Sequence, residues 1–152
     1  MTNTFNSMES STCVFADGAL FSGDGKLLLL KRLGDGVWEL PCGELDFGEE
    51  PEVAASRVFL ELTGIDATPD RPLGAWGNLN GLANDGAKIH EVHVGYTMSL
   101  GGALLGVEVE RARHNAFAWV TSAELGGKIE SPSLRRACER AFAALARGRK
   151  NK

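Results

Sequence analysis

Cysteine is scarce and never paired: Cys13, Cys42 and Cys138 stand singly among 152 residues. An odd count with no C-x-x-C spacing argues against a disulfide framework and against a zinc site of the finger type, and for reduced thiols. Cys13 and Cys138 read as small core residues. Long apolar runs are also missing. "LLLL" at Leu27–Leu30, flanked by Lys26 and Lys31, is far short of the roughly 20 residues that span a bilayer. The opening "MTNTFNSMESS" has neither the basic start nor the apolar segment of a secretory signal. These absences remove the membrane from the expected partners and make a cytoplasmic location the expectation. No internal repeat and no low-complexity linker interrupts the chain.

What is present suits one domain. A chain of this length with 43% hydrophobic residues can bury a real core but cannot form two full ones. Residues 1–10 are polar and aperiodic, so they are expected to be disordered. Residues 11–147 are expected to form the domain, and 148–152 a basic tail. Charge is uneven: residues 131–152 carry seven Lys/Arg against one acid, and the remainder nine against nineteen. The basic end, "ARGRKNK", is brief and lacks interleaved aromatics, so nucleic acid is not an expected partner. It suits the negative end of a helix dipole instead.

"TCVFADGALFS" and "KLLLLKR" read as strands on either side of the turn Gly23–Gly25. A helix is predicted from Pro51 to about Thr63, with proline in its first turn and Gly64 as C-cap. A short strand near Leu73–Trp76 then precedes a polar loop, "GNLNGLANDGAK". "IHEVHVGYTMSL" and "NAFAWV" follow as strands. Ser131-Pro132 opens a last helix with Leu134, Ala137, Cys138, Ala141, Phe142 and Leu145 on one face. Strands interleaved with two separated helices imply a mixed α/β domain layered helix–sheet–helix.

The chemistry concentrates in "GELDFGEEPEVAASRVFLELTGI", Gly43 to Ile65. Gly43 and Gly48 permit sharp turns and close approach of backbone to a ligand. Glu49, Glu50 and Glu52 crowd the helix start, where the dipole favours acids. Arg57 and Glu61, spaced i, i+4, face each other. Carboxylates gathered in this way are what hard cations such as Mg²⁺ take as ligands while bridging to phosphates.

This stretch resembles the Nudix box, G-x5-E-x7-R-E-U-x-E-E-x-G-U with U aliphatic, and aligns with it without a gap. Gly43, Glu49, Arg57, Glu61, Gly64 and Ile65 fall on its fixed positions, and Phe59 takes the first U. "WELPCGELDFGE" is similar to the family's approach to the box, and "FAWVTSAEL" to its tryptophan strand and short helix. The resemblance implies a Nudix-type α/β/α sandwich around a mixed β-sheet. It also implies hydrolysis of a nucleoside diphosphate linked to another group, with Mg²⁺ or Mn²⁺. On that basis Gly43, Glu49 and Glu61 would hold the metal and Arg57 would orient a glutamate. The family fold often forms homodimers.

The departures sit on the helix. Val58 and Leu62 stand where the pattern has glutamate, and Cys42 replaces the first glycine of a pair. Arg113 stands where many relatives have a glutamate before the histidine matched by His114. Losing even one oxyanion donor slows catalysis about 10²–10³-fold. Two lost acids should matter as much unless Glu44, Asp46, Glu50, Glu52, Glu108 or Glu110 substitutes. Two functions therefore stay open: a weak or atypical hydrolase, or an inactive domain that binds a nucleotide-like ligand or a partner protein. Val58 and Leu62 share an apolar stripe with Ala55 and Phe59, while Val53 and Leu60 lie opposite, as on a helix packed between layers. Trp76 is a candidate for stacking on a base, and Arg32 for contacting phosphate. His90 and His93, three apart in a strand, point to opposite faces and do not suggest a metal triad with His114.

Overall fold

The computed structural model describes residues 10–82 and 88–150. The segment 1–9, expected to be disordered, and the centre of the polar loop at 83–87 lie outside them. The elements run β1 Ser10–Ala19, β2 Leu27–Arg32, β3 Trp38–Glu39, β4 Cys42–Glu44, α1 Pro51–Thr63, β5 Ala67–Leu82, β6 Lys88–Leu100 and β7 His114–Val120. A 3₁₀ turn, Ser122–Glu124, leads into the short helix α2, Leu125–Lys128, and the chain closes on α3, Pro132–Lys150. No helix among the described residues is long and apolar enough to cross a membrane.

One sheet has the order β4-β1-β6-β5, with β1 and β6 parallel and the other pairs antiparallel. A second, antiparallel sheet has the order β3-β2-β7. The four leucines of β2 show how the layers form. All are fully buried, and the period of two sends them to opposite faces. Leu28 joins Ala16, Ala54, Ala55, Phe59 and Met98 beneath α1. Leu27 and Leu29 join Ala19, Cys138 and Ala141 beneath α3. The sheets thus lie between the two helices, the expected α/β/α arrangement.

Helix α1 keeps the bounds that its local signals predict. Pro51 occupies the first turn, and Gly64 closes the helix at φ 72°, its amide donating to the Leu60 carbonyl. Its packing is one-sided, however. Ala54, Ala55, Val58, Phe59 and Leu62 are buried, while Val53 and Leu60 remain about half exposed. The expectation of a helix packed on both sides is corrected accordingly.

β5 is much longer than the short strand around Leu73–Trp76 that the sequence suggests. It pairs along most of β6, with irregularities at Pro69/Arg71, Pro72/Gly74 and Asn78/Gly81. Its place at the sheet edge is what lets it carry two prolines, since an edge strand need not donate on both sides. The basic carboxyl end is helical through Lys150.

Candidate functional site

The box loop is organised around Arg57. Its Nε and Nη2 donate to the two carboxylate oxygens of Glu49, each at 2.8 Å. Nη2 also donates to the Glu44 carbonyl at 3.0 Å, and Nη1 lies 3.3 Å from both oxygens of Glu61. Glu49 further accepts from the Asp46 amide at 3.0 Å. A two-pronged guanidinium–carboxylate pair is a strong, directional contact. Hydrogen bonding from Arg57, then from the Asp46 backbone, pulls the Glu49 carboxyl down to about 2. Hydrogen bonds to Glu49 and then Glu61 push the Arg57 guanidinium further up, against its burial. Arg57 therefore clamps the end of β4, the loop and the last turn of α1 together.

The face beside this clamp is closed. Val58 and Leu62 are 1% and 0% exposed and pack with Leu30 and Val109. Gly43 presses on the same residue: a Cβ there would lie 2.9 and 3.0 Å from the two methyls of Val58. Val109 reaches this core because Glu108 and Glu110 donate their amides to the carbonyls of Thr63 and Leu62.

The resemblance to the box implies a divalent metal, and as they are arranged the residues present do not gather around one. Glu49 and Glu61 both face the cation of Arg57, and the neighbouring helix positions are apolar and sealed. Among the described residues, the acids of the box form no cluster of three donors around one point.

A second polar centre lies on the other side of β4. Gly43 faces α1, whereas its neighbour Cys42 lines a cavity of about 60 Å³ with Asp17, Arg32, Glu39, Trp76, Asn78, Glu91 and His93. The His93 Nδ1 lies 2.7 Å from an Asp17 carboxylate oxygen, and Nε2 lies 3.0 Å from one of Glu91. The imidazole is sandwiched between Phe15, at 5.0 Å and 16°, and Trp76, at 5.6 Å and 6°. Burial disfavours charge on His93, but the bonds to Asp17 and Glu91 outweigh it and push the group up to about 10. Burial pushes the Asp17 carboxyl up to about 6 against the opposing bond from His93. The Cys42 thiol is pushed well up by burial and by the nearby Glu39, Asp17 and Glu91, and so stays protonated.

Arg32 and Trp76 are brought together at this cavity and not at the box. Arg32 is engaged by Asp35 at 2.8 Å and Glu39 at 3.4 Å. Trp76 lies over Gly95, where a Cβ would meet its ring at 2.6 Å, and His93 covers one of its faces. His114 is buried behind Glu39, its Nε2 2.8 Å from that carboxylate, and its Nδ1 has no hydrogen-bond partner among the described residues. Sequence reasoning missed Asp17, Glu39 and Glu91, and set His93 aside on its spacing from His90. One signal was available, an acid in the middle of the otherwise apolar strand "CVFADGAL". Cys13, expected in the core, is only half-buried, while Cys138 is buried.

The family model of the NUDIX domain matches residues 14–141. The chain belongs to the Nudix family. This Nudix protein is 34% identical over 110 residues to a putative mutator protein MutT4 of Mycobacterium tuberculosis, covering 71% of this chain and 42% of that protein. It is 39% identical over 61 residues to a MutT-like protein of Streptomyces ambofaciens, covering 40% of each. The match thus spans less than half the length of either relative. Among solved structures, a MutT protein from Methanosarcina mazei superposes with a TM-score of 0.69 at 22% identity, over 96% of this chain and 99% of that one. The NUDIX domain of Shewanella oneidensis NrtR, complexed with ADP ribose, gives 0.67 at 23% identity over 89% of each chain. At such identities the likeness concerns the fold.

Proposed function

We propose that this protein is a Nudix domain that binds a nucleotide derivative, a nucleoside diphosphate linked to another group, without a working metal centre at its box. The observation that carries this reading is the burial of Val58 and Leu62 against Leu30 and Val109, where the box pattern has two acids. A metal clamp acts by neutralising charge and generating hydroxide, and both depend on the number and geometry of its ligands. Here the remaining acids serve Arg57 as structural partners. Relatives and neighbours lend the ligand class: an RNA pyrophosphohydrolase of Gluconobacter oxydans, a putative 8-oxo-dGTP diphosphatase of Bacillus subtilis and the ADP-ribose complex all concern nucleotides. Trp76, partly exposed beside Arg32, is the residue proposed to stack on a base held outside the small cavity, and Arg32 to meet a phosphate after exchanging Asp35 or Glu39.

A second reading rests on the intact Arg57–Glu49–Glu61 arrangement, which keeps three fixed positions of the box in contact. On it, the protein is a slow hydrolase using Mg²⁺ or Mn²⁺, with Glu49, Glu61 and the Gly43 carbonyl as ligands and Arg57 as orienter. One experiment separates the two. Nucleoside triphosphates, dinucleotides and nucleotide sugars are tested for binding by calorimetry, and for turnover with each metal by phosphatase-coupled phosphate release. Binding heats without metal-dependent release are expected. Release that disappears in Glu61→Gln would establish the hydrolase instead, and no binding by any class would defeat the proposal.

A further inference from the structure

Asp17, Cys42 and His93 come from three adjacent strands, β1, β4 and β6, and each offers one donor atom within 4.8 Å of the others. They present carboxylate oxygen, thiol sulfur and imidazole nitrogen, the mixed set that borderline dications take. Asp17 and His93 are buried, at 2% and 8% exposure, and Cys42 is half-buried. The adjoining cavity, about 60 Å³, is far below the roughly 300–1,000 Å³ of pockets that enclose drug-sized ligands. It has room for an ion and a few waters.

We infer that Asp17, Cys42 and His93 form a binding site for a zinc-class divalent cation, separate from the Nudix box and facing the opposite side of β4. Bond lengths of about 2.0–2.3 Å place tetrahedral ligand atoms about 3.2–3.8 Å apart. Donors spread over up to 4.8 Å need to close by up to about 1.3 Å for a sulfur–nitrogen or sulfur–oxygen pair, and the 2.7 Å Nδ1–Asp17 pair needs to open slightly. The outer arrangement is already in place. A metal-bound histidine characteristically donates its other ring N–H to a carboxylate, which fixes its orientation. Glu91, 3.0 Å from Nε2, stands in that position, and the stacked rings of Phe15 and Trp76 lock the imidazole plane.

Charge points the same way. Asp17, Glu39 and Glu91 converge on the cavity, and Arg32, the cation on its wall, is shared with Asp35 outside it. In the metal-free protein a proton between Nδ1 and Asp17 occupies the place of the ion. Binding expels that proton and the Cys42 thiol proton to solvent, leaving thiolate, carboxylate and neutral imidazole as ligands and a fourth position for water. The spacing of the cysteines in sequence speaks against a finger-type site, and that argument concerns ligands supplied by close neighbours in the chain. Here β-pairing assembles them. The inference does not rest on the nucleotide reading.

The test is titration of the full chain with Co²⁺ as spectroscopic probe, followed by displacement with Zn²⁺. One equivalent is expected to produce a thiolate-to-cobalt charge-transfer band in the near ultraviolet with d–d bands of tetrahedral intensity, all bleached by Zn²⁺. Cys42→Ser should abolish the charge-transfer band, and Cys13→Ser should leave it intact. Glu91→Gln should weaken Zn²⁺ binding about 10–100-fold while keeping the band shape. Circular dichroism confirms that each variant is folded, and Cys42→Asp, which keeps an oxygen donor, should retain Zn²⁺ binding without the sulfur band. Absence of a saturable band at one equivalent overturns the inference. So does a band that survives Cys42→Ser.

Discussion

Leu62→Glu restores an acid to the box pattern, and its effect on stability follows from where Leu62 lies. The side chain is 0% exposed in the last turn of α1, packed against Leu30, Val58 and Val109. A glutamate there has no cation to meet, because Arg57 already holds Glu49 and Glu61. Burial without a partner raises a carboxyl by up to about 3–5 units, so the group folds in protonated. Taking up that proton at pH 7 costs about 4 kcal/mol, at about 1.36 per unit above a reference near 4.3. Losing the buried leucine removes about 1.5–3 kcal/mol more. The total, about 5–7 kcal/mol, is comparable with the roughly 5–15 kcal/mol that holds a domain folded.

Urea unfolding, followed by the fluorescence of the three tryptophans, measures this directly. The sign with pH is fixed: a carboxyl raised in the folded state favours folding at low pH and loses that advantage as pH rises. The deficit should therefore shrink by about 3 kcal/mol between pH 7 and pH 5, at 1.36 per unit. Leu62→Met, which conserves volume, should cost under about 1.5 kcal/mol at either pH. A Leu62→Glu protein as stable as the parent at pH 7, or one that millimolar Mg²⁺ stabilises, would refute the reasoning. It would mean that this helix face opens to a metal-binding cleft.

Gly43→Ala drives a methyl into Val58 and should destabilise the fold by about 1–3 kcal/mol; adding Val58→Ala should recover part of that, read as a coupling in a double-mutant cycle. Glu49 is held near 2 in the folded state, so its contribution is present above about 4.5 and is lost as pH falls toward 2. Arg57→Gln should flatten that acid limb of the melting-temperature profile. His93 is raised to about 10, so its contribution is full below 6.5 and disappears as pH climbs to 10. His93→Gln should flatten this alkaline limb in metal-free protein, measured by the same melts. Trp76→Ala should weaken binding of whichever nucleotide the calorimetric panel selects by about 1–3 kcal/mol, the worth of one stacked base; unchanged affinity would remove Trp76 from the ligand site.

Local signals made much of the molecule legible before any contact was known. Pro51 and Gly64 delimit α1 because a ring without an amide and a residue free to adopt φ 72° act on their own turn of backbone. The gapless box identified the fold for a related reason: its glycines and its Arg57–Glu61 pair depend on spacing along one loop and one helix. β5 was misjudged because Pro69, Pro72 and the glycines read as breakers, whereas pairing to β6 at a sheet edge absorbs Pro69, Pro72, Gly74 and Gly81 at irregularities and keeps Gly77 in register.

By itself the sequence determined the family, the helix bounds and the absence of two box acids. Whether Val58 and Leu62 face a cleft or a core was a matter for tertiary structure, because it depends on Leu30 and Val109 arriving from β2 and from the segment before β7. The grouping of Asp17 with His93 was likewise invisible, since 76 residues separate them and only the parallel pairing of β1 with β6 sets them 2.7 Å apart. Periodicity assigns a side chain to a face. What waits on that face is decided by elements far away in the chain.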